Sequence, residues 1–246
     1  MSTARTAVSP KHKVVSQQEW LAARKELLAA EKEFTRQRDA LSAKRREMPW
    51  VRAEENYIFD GPNGKVSLSD LFRDKSQLVV YHFMFGLGWE QGCPGCSFVS
   101  DHVDGALAHL NARDVAYTAV SRATLPEITA FKKRMGWHFP WVSSNQNDFN
   151  FDYHVSFRKD KNAKSKGEYN YVQRESLSEE NPGLSVFYKN ETGEIFHTYS
   201  TYARGLDMLL GTYNFLDLTP KGRDESSFPQ PMAWVRHHDR YETAAT

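Results

Sequence analysis

Three observations in this sequence predict an α/β fold, a central mixed sheet flanked by helices. Residues 78–85, Leu-Val-Val-Tyr-His-Phe-Met-Phe, are a continuous β-prone apolar run, as a central strand covered on both faces requires. Helical and extended patterns alternate after it, which implies parallel strands with helices crossing the sheet. The only two cysteines, Cys93 and Cys96, stand as Cys-Pro-Gly-Cys where that strand gives way to a helix.

Ahead of this core the sequence predicts a helix that opens at Ser16-Gln17-Gln18-Glu19, a capping box. Trp20, Leu27, Phe34, Leu41 and Met48 recur every seven residues along it, with Ala23 and Ala30 between them, up to Pro49. Such a stripe needs burial. Gln37 and Lys44 interrupt it, so docking against the chain's own domain is expected in preference to a helix pair across a homodimer. Residues 57–59 and Val66 flank the Asn63-Gly64 turn and form a hairpin, followed by one helical turn over residues 67–72.

Beyond the cysteines, Phe98, Val99, Val103, Leu107 and Leu110 share a helical face, and residues 115–121 form the next strand. A helix over residues 126–135 stops at Gly136, and residues 139–142 are extended. Residues 151–181 break the rhythm with Arg158, Lys159, Lys161, Lys164 and Lys166, and are expected to be a solvated insertion. A hairpin over residues 184–199 and a closing helix over 206–215 complete a domain at 51–218. A helical extension at 1–50 precedes it, and a tail at 219–246, rich in Trp234, Arg236, His237, His238, Asp239 and Tyr241, folds back on it.

Composition narrows the function. The 246 residues carry 32 basic and 31 acidic side chains, a net charge of +1, so no overall field recruits nucleic acid or an anionic membrane. The longest apolar run is too short to cross a bilayer, and the first twenty residues lack the apolar core of a secretory signal. Two cysteines confined to one motif do not staple distant segments, so a reducing cytoplasm is the expected compartment.

The motif itself carries chemistry. A thiolate is favoured by the unpaired amides and positive dipole end of a helix N-terminus, where Cys93 would sit, and Pro94 suits the first helical position. Cys96 lies one turn on. As a mere staple the pair would close a loop worth only about 2 kcal/mol. Zinc is the stronger rival because His102 and His109 follow, but seven helical residues separate them by roughly 10 Å, too far for one ion. No metal and no cofactor is expected.

On these residues the chain resembles thioredoxin-fold proteins. Asn181-Pro182-Gly183 through Phe187 is similar to the segment that opens their last sheet hairpin, which implies a cis Pro182 beside the cysteines. Residues 64–72 resemble the peroxiredoxin-like branch. The whole chain resembles more closely an uncharacterised bacterial thioredoxin-like family, a domain of unknown function of the 899 type. Residues 81–89 with the cysteine pair, 135–144, 196–205 and 232–241 carry that likeness.

The motif in this strand-loop-helix setting points to a dithiol-disulfide oxidoreductase in which Cys93 attacks and Cys96 resolves. Pro182 would shape the substrate groove; Trp89 would cover the site and Arg122, just past the 115–121 strand, would favour the thiolate if its loop turns inward, the alternative for both being an ordinary surface or packing residue. The substrate is a disulfide, or a peroxide in the alternative two-cysteine peroxidase reading, with an unidentified thiol as reductant. Glu90 replaces the threonine that peroxiredoxins carry three residues before their cysteine, which favours the disulfide. A non-enzymatic binding module is the third reading.

Overall fold

The computed structural model describes residues 12–158, 165–175 and 178–242. Its first helix, α1 (Gln17–Arg46), starts at the expected capping box, with the Ser16 and Glu19 side chains each bonded to the other's backbone amide. Docking does not follow. None of its residues is buried, and Trp20, Leu27, Phe34 and Leu41 face solvent. Arg45, over the Tyr199 ring at 5.6 Å, ties only the foot of the helix to the body. The basic side chains of the last turn leave no apolar face there to press against the sheet.

Eight strands form one sheet: β1 (Val51–Arg52), β2 (Ile58–Gly61), β3 (Gly64–Ser67), β4 (Gln77–His82), β5 (Val115–Ser121), β6 (Trp141–Ser143), β9 (Gly183–Lys189) and β10 (Ile195–Tyr202). Their spatial order is β1-β10-β9-β4-β5-β6-β2-β3. β4 lies parallel to β5, β5 parallel to β6, and β9 runs antiparallel on the other side of β4, paired in turn with β10. A parallel strand-helix-strand unit beside an antiparallel terminal hairpin, with a cysteine pair at the end of the central strand, is a thioredoxin-like fold.

β4 alternates as a strand buried on both faces must. Leu78 and Val80 enter one core with Phe59, Phe72, Phe149 and Phe187, while Tyr81 enters the other with Cys96, Phe98 and Tyr117. His82, buried on the first face, bonds through Nε2 to Ser185 Oγ at 2.8 Å, and burial lowers its pKa to about 3. It is a neutral core residue.

Helices α2 (Leu68–Leu71) and α5 (Leu125–Met135) both begin with capping boxes, at Ser67 and Thr124, and α5 stops where Gly136 takes φ 67°, the left-handed conformation glycine adopts without strain. The expected long helix after Cys96 is broken into α3 (Pro94–Ser100), a 3-10 turn at Asp104–Ala106 and α4 (Leu107–Ala112). Gly105 weakens helix at the break, and the bend lets the Asp104 carboxylate accept from the His138 and Phe139 amides at 2.7 and 2.8 Å. The closing helix is similarly divided, into a 3-10 stretch at Ala203–Leu209 and α7 (Gly211–Leu216).

The expected solvated insertion instead has a small core of its own. After α6 (Phe149–Asp152), Val155 and Phe157 pack with Tyr169 and Tyr202, and β7 (Lys166–Tyr169) pairs with β8 (Val172–Glu175) in a separate hairpin. Gly167 makes room for the Phe157 ring. Lys159, Lys161 and Lys164 of the basic cluster lie outside the described residues.

Phe149 is fully buried and meets Tyr57 and Phe59 edge-on, with His82 and Tyr153 beside it. Phe149→Ala should therefore lower unfolding free energy by about 3–5 kcal/mol, measured by chemical denaturation. A loss below about 1 kcal/mol would contradict this packing.

Candidate active site

β4 ends at His82, and the loop after it returns so that the Cys93 amide donates to the Met84 carbonyl at 3.0 Å. Gly92 is needed at that return, because a Cβ there would come within 2.5 Å of the Phe83 ring and 2.8 Å of the Phe131 ring. Cys93 is the N-cap of α3 and Pro94 its first residue, as the motif predicts. Both thiols are free; Cys93 is partly exposed and Cys96 buried.

The two sulfurs differ in their surroundings. The Cys96 thiol, one turn on, and after it the Cys96 and Gly95 amides at the start of α3 hold the Cys93 thiol below the ordinary range despite partial burial. Burial pushes the Cys96 thiol up, and the neighbouring Cys93 sulfur pushes it further. The Met84 amide, at 3.4 Å, and the Tyr81 hydroxyl beside it act weakly the other way on Cys96.

A cavity of about 330 Å3 opens onto Cys93 and Cys96. Its walls come from three parts of the chain: Tyr81 and Met84 from the central strand and its loop, Pro182 with Leu206 and Leu210 from the terminal hairpin and beyond, and Met232 with Val235 from the tail. Met232 stands over Gly95, where a Cβ would be 3.3 Å from its methyl carbon. The tail is anchored there. His237, nearly fully buried, bonds to the Gly92 carbonyl at 2.9 Å; Asp239 pairs with Arg134 at 2.8 Å; His238 bonds to Asp101 at 2.7 Å. Trp234 packs edge-on against Phe98 and donates to Glu225 at 2.7 Å.

Of the residues expected at the site, Cys93, Cys96 and Pro182 come together. The bond preceding Pro182 is trans, contrary to the cis expectation, since the described residues contain no cis peptide. Glu179 and Asn181 are paired with Phe157 and Val155 through backbone bonds of 2.9 and 2.7 Å, so the insertion delivers Pro182 from an extended segment where a tight cis turn was expected. Trp89 is not part of the cavity lining; its indole lies on Gly86, partly buried against the core. Arg122 faces away too, over the Phe151 ring and 3.5 Å from the buried Glu180, in a separate polar pocket. Burial raises the Glu180 carboxyl to about 7.

Tyr81, Met84, Leu206, Leu210 and Met232 escaped sequence reasoning because an apolar residue lining a site has the same pattern as one filling a core. Among the described residues, no group of three or more His, Cys, Asp or Glu side chains could hold a metal ion. His102 bonds instead to Thr212 at 3.0 Å. No helix among them is long and apolar enough to cross a membrane.

The model of a family described as bacterial protein of unknown function (DUF899) matches residues 9–241. The chain belongs to this family. Its DUF899 pattern thus spans α1, the thioredoxin-like body and the tail as far as Tyr241. None of the curated proteins matches significantly. Among solved structures it is similar to peroxiredoxin Q of Xanthomonas campestris, at 14% identity over 68% of this chain and 98% of that one, with a TM-score of 0.45. Peroxidoxin BcpB of Mycobacterium tuberculosis matches at 12% identity over 67% of this chain and 95% of that one, with a TM-score of 0.44. A hypothetical protein of Sinorhizobium meliloti 1021 matches at 14% identity over 59% and 67%, with a TM-score of 0.38.

Because the largest effect lowering the Cys93 thiol is the Cys96 S–H, its loss should be visible in a pH profile. A thiol held low keeps its reactive thiolate as pH falls from the ordinary value of about 8.5 and loses it only on passing through the lower, folded-state value. Cys96→Ala should shift the midpoint of Cys93 alkylation to higher pH, and Cys96→Ser should shift it less. An unmoved midpoint in Cys96→Ala would assign the lowering to the helix amides alone.

Proposed function

We propose that this DUF899 protein is a thiol-disulfide oxidoreductase. The observation that carries the reading is the division of labour in one helical turn: Cys93 partly exposed and held toward thiolate, Cys96 buried behind it and held protonated. An inert thiol pair needs no such difference.

In the reaction, Cys93 Sγ attacks one sulfur of a substrate disulfide. The S–S bond breaks, the leaving sulfur departs as a thiolate that takes a proton, and a mixed disulfide with Cys93 remains. That bond removes the negative charge beside Cys96, and with it one of the causes that held the Cys96 proton in place. Cys96 then loses its proton, attacks Cys93 Sγ and releases the second substrate thiol. The substrate gains two electrons, and the protein is left with a Cys93–Cys96 disulfide that an external thiol must reduce.

Pro182 shapes the mouth opposite the thiols, and Met232 limits what enters. The walls are largely apolar, which suits a disulfide flanked by uncharged groups. Trp89 and Arg122 have no part in this reading. A reducing compartment such as the cytoplasm suits two cysteines that work as a free dithiol.

A paired assay of disulfide reduction and peroxide consumption by the reduced protein tests the proposal. Disulfide should be reduced stoichiometrically; Cys93→Ser should abolish the reaction, and Cys96→Ser should accumulate a mixed disulfide at Cys93 visible by mass spectrometry. Fast peroxide consumption without disulfide reduction would establish the peroxidase instead, through a Cys93 sulfenic acid captured by Cys96.

A further inference from the structure

Helix α1 poses a problem that the body does not solve. Its 30 residues extend about 45 Å, and Trp20, Leu21, Leu27, Leu28, Phe34 and Leu41 are all exposed, Phe34 to 65%. Its capping box and the Arg24–Glu31 and Arg36–Glu33 pairs help the helix form, but a helix in water draws most of its stability from burying an apolar stripe. From the geometry we infer that α1 pairs antiparallel with α1 of a second copy of this chain.

The stripe is its own complement. Trp20, Leu27, Phe34, Leu41 and Met48 are evenly spaced with Phe34 at the centre. Turning one helix end for end about Phe34 places the rings at the centre together, Leu27 against the partner's Leu41, and Trp20 against the partner's Met48. Met48 lies just past the helix end beside Trp50, half-exposed against Tyr188 and Phe196 at the sheet edge. The partner's Trp20 would thus extend an aromatic cluster that this body already begins. At roughly 100 Å2 for each of seven half-exposed large side chains, a copy offers about 700 Å2, close to the ~800 Å2 per partner of a stable interface.

Charge selects the direction. Before Phe34, α1 carries Glu19, Glu26, Glu31 and Glu33 against Arg24, Lys25 and Lys32, a net charge of −1; after it come Arg36, Arg38, Lys44, Arg45 and Arg46 against Asp39 alone, a net charge of +4. A parallel pair would bring two strongly basic ends together. An antiparallel pair sets the basic end of each copy along the half of the other that carries most of its acids, and opposes the two helix dipoles favourably.

Sedimentation of the full chain at tens of micromolar tests this. A particle of twice the 28.3 kDa chain mass is expected, and Leu27→Glu with Phe34→Glu should halve it while leaving the thermal unfolding of the body unchanged. In a Cys93→Ser, Cys96→Ser background, chains carrying Phe34→Cys should cross-link to one another under mild oxidation. Trp20→Cys chains should not cross-link alone but should do so when mixed with Met48→Cys chains. A monomeric wild type, including one that instead binds anionic vesicles through α1, overturns the pairing. So does a dimer that survives the double substitution, or efficient self-linking of Trp20→Cys, the mark of a parallel pair.

Discussion

Cys96 is buried behind Cys93 at the first turn of α3, in surroundings that oppose its ionisation, and its thiol helps hold the Cys93 thiol below the ordinary range. A single burial therefore does two things. It holds the Cys96 thiol protonated, and it places that thiol where it lowers the Cys93 one. Much of the surrounding structure follows from keeping this pair in register: the Gly92 return under two aromatic rings, the Met84 backbone that bonds both cysteines, and the strand that brings Tyr81 to the inner sulfur.

Three distant stretches of chain converge on the pair. The terminal hairpin supplies Pro182, the segment after it supplies Leu206 and Leu210, and the tail supplies Met232 and Val235. The tail is held by directional contacts as well as apolar ones: the His237 bond to the Gly92 carbonyl fastens it to the residue before Cys93, and the Arg134–Asp239 pair ties it to α5. A segment bonded to the active loop at that point couples site geometry to its own docking. An exposed ion pair alone would contribute little, so the buried His237 and the packed Trp234 carry most of the anchoring.

Local chemistry was readable from the sequence where one residue type satisfies one physical demand. The capping box at Ser16, Pro94 after an N-cap cysteine and the alternating faces of β4 each rest on constraints within a few residues and appear as expected, while the expected hairpin forms with its turn one residue early, on Pro62-Asn63, and Gly64 opening β3. Features that depend on long-range partners were not readable. Arg122 was assigned to the thiols from its place at the end of β5, but Glu180 and Phe151, brought up by the insertion, hold it elsewhere. Pro182 was expected cis because its flanking sequence looks like a hairpin entry; backbone pairing with Val155 and Phe157, invisible in the pattern, delivers it trans. α1 was expected to dock because apolar stripes need burial. That demand is real, but it does not say against which molecule.

The difference between the two thiols can be read directly in the reduced protein by following the carbon-13 shifts of the two Cβ atoms through a pH titration. Cys93 should ionise well below the ordinary thiol range and Cys96 well above it, with the second ionisation displaced by the charge from the first. If both carbons titrated together near the value of about 8.5 of an unperturbed thiol, the burial of Cys96 would not be tuning Cys93, and the account would fail.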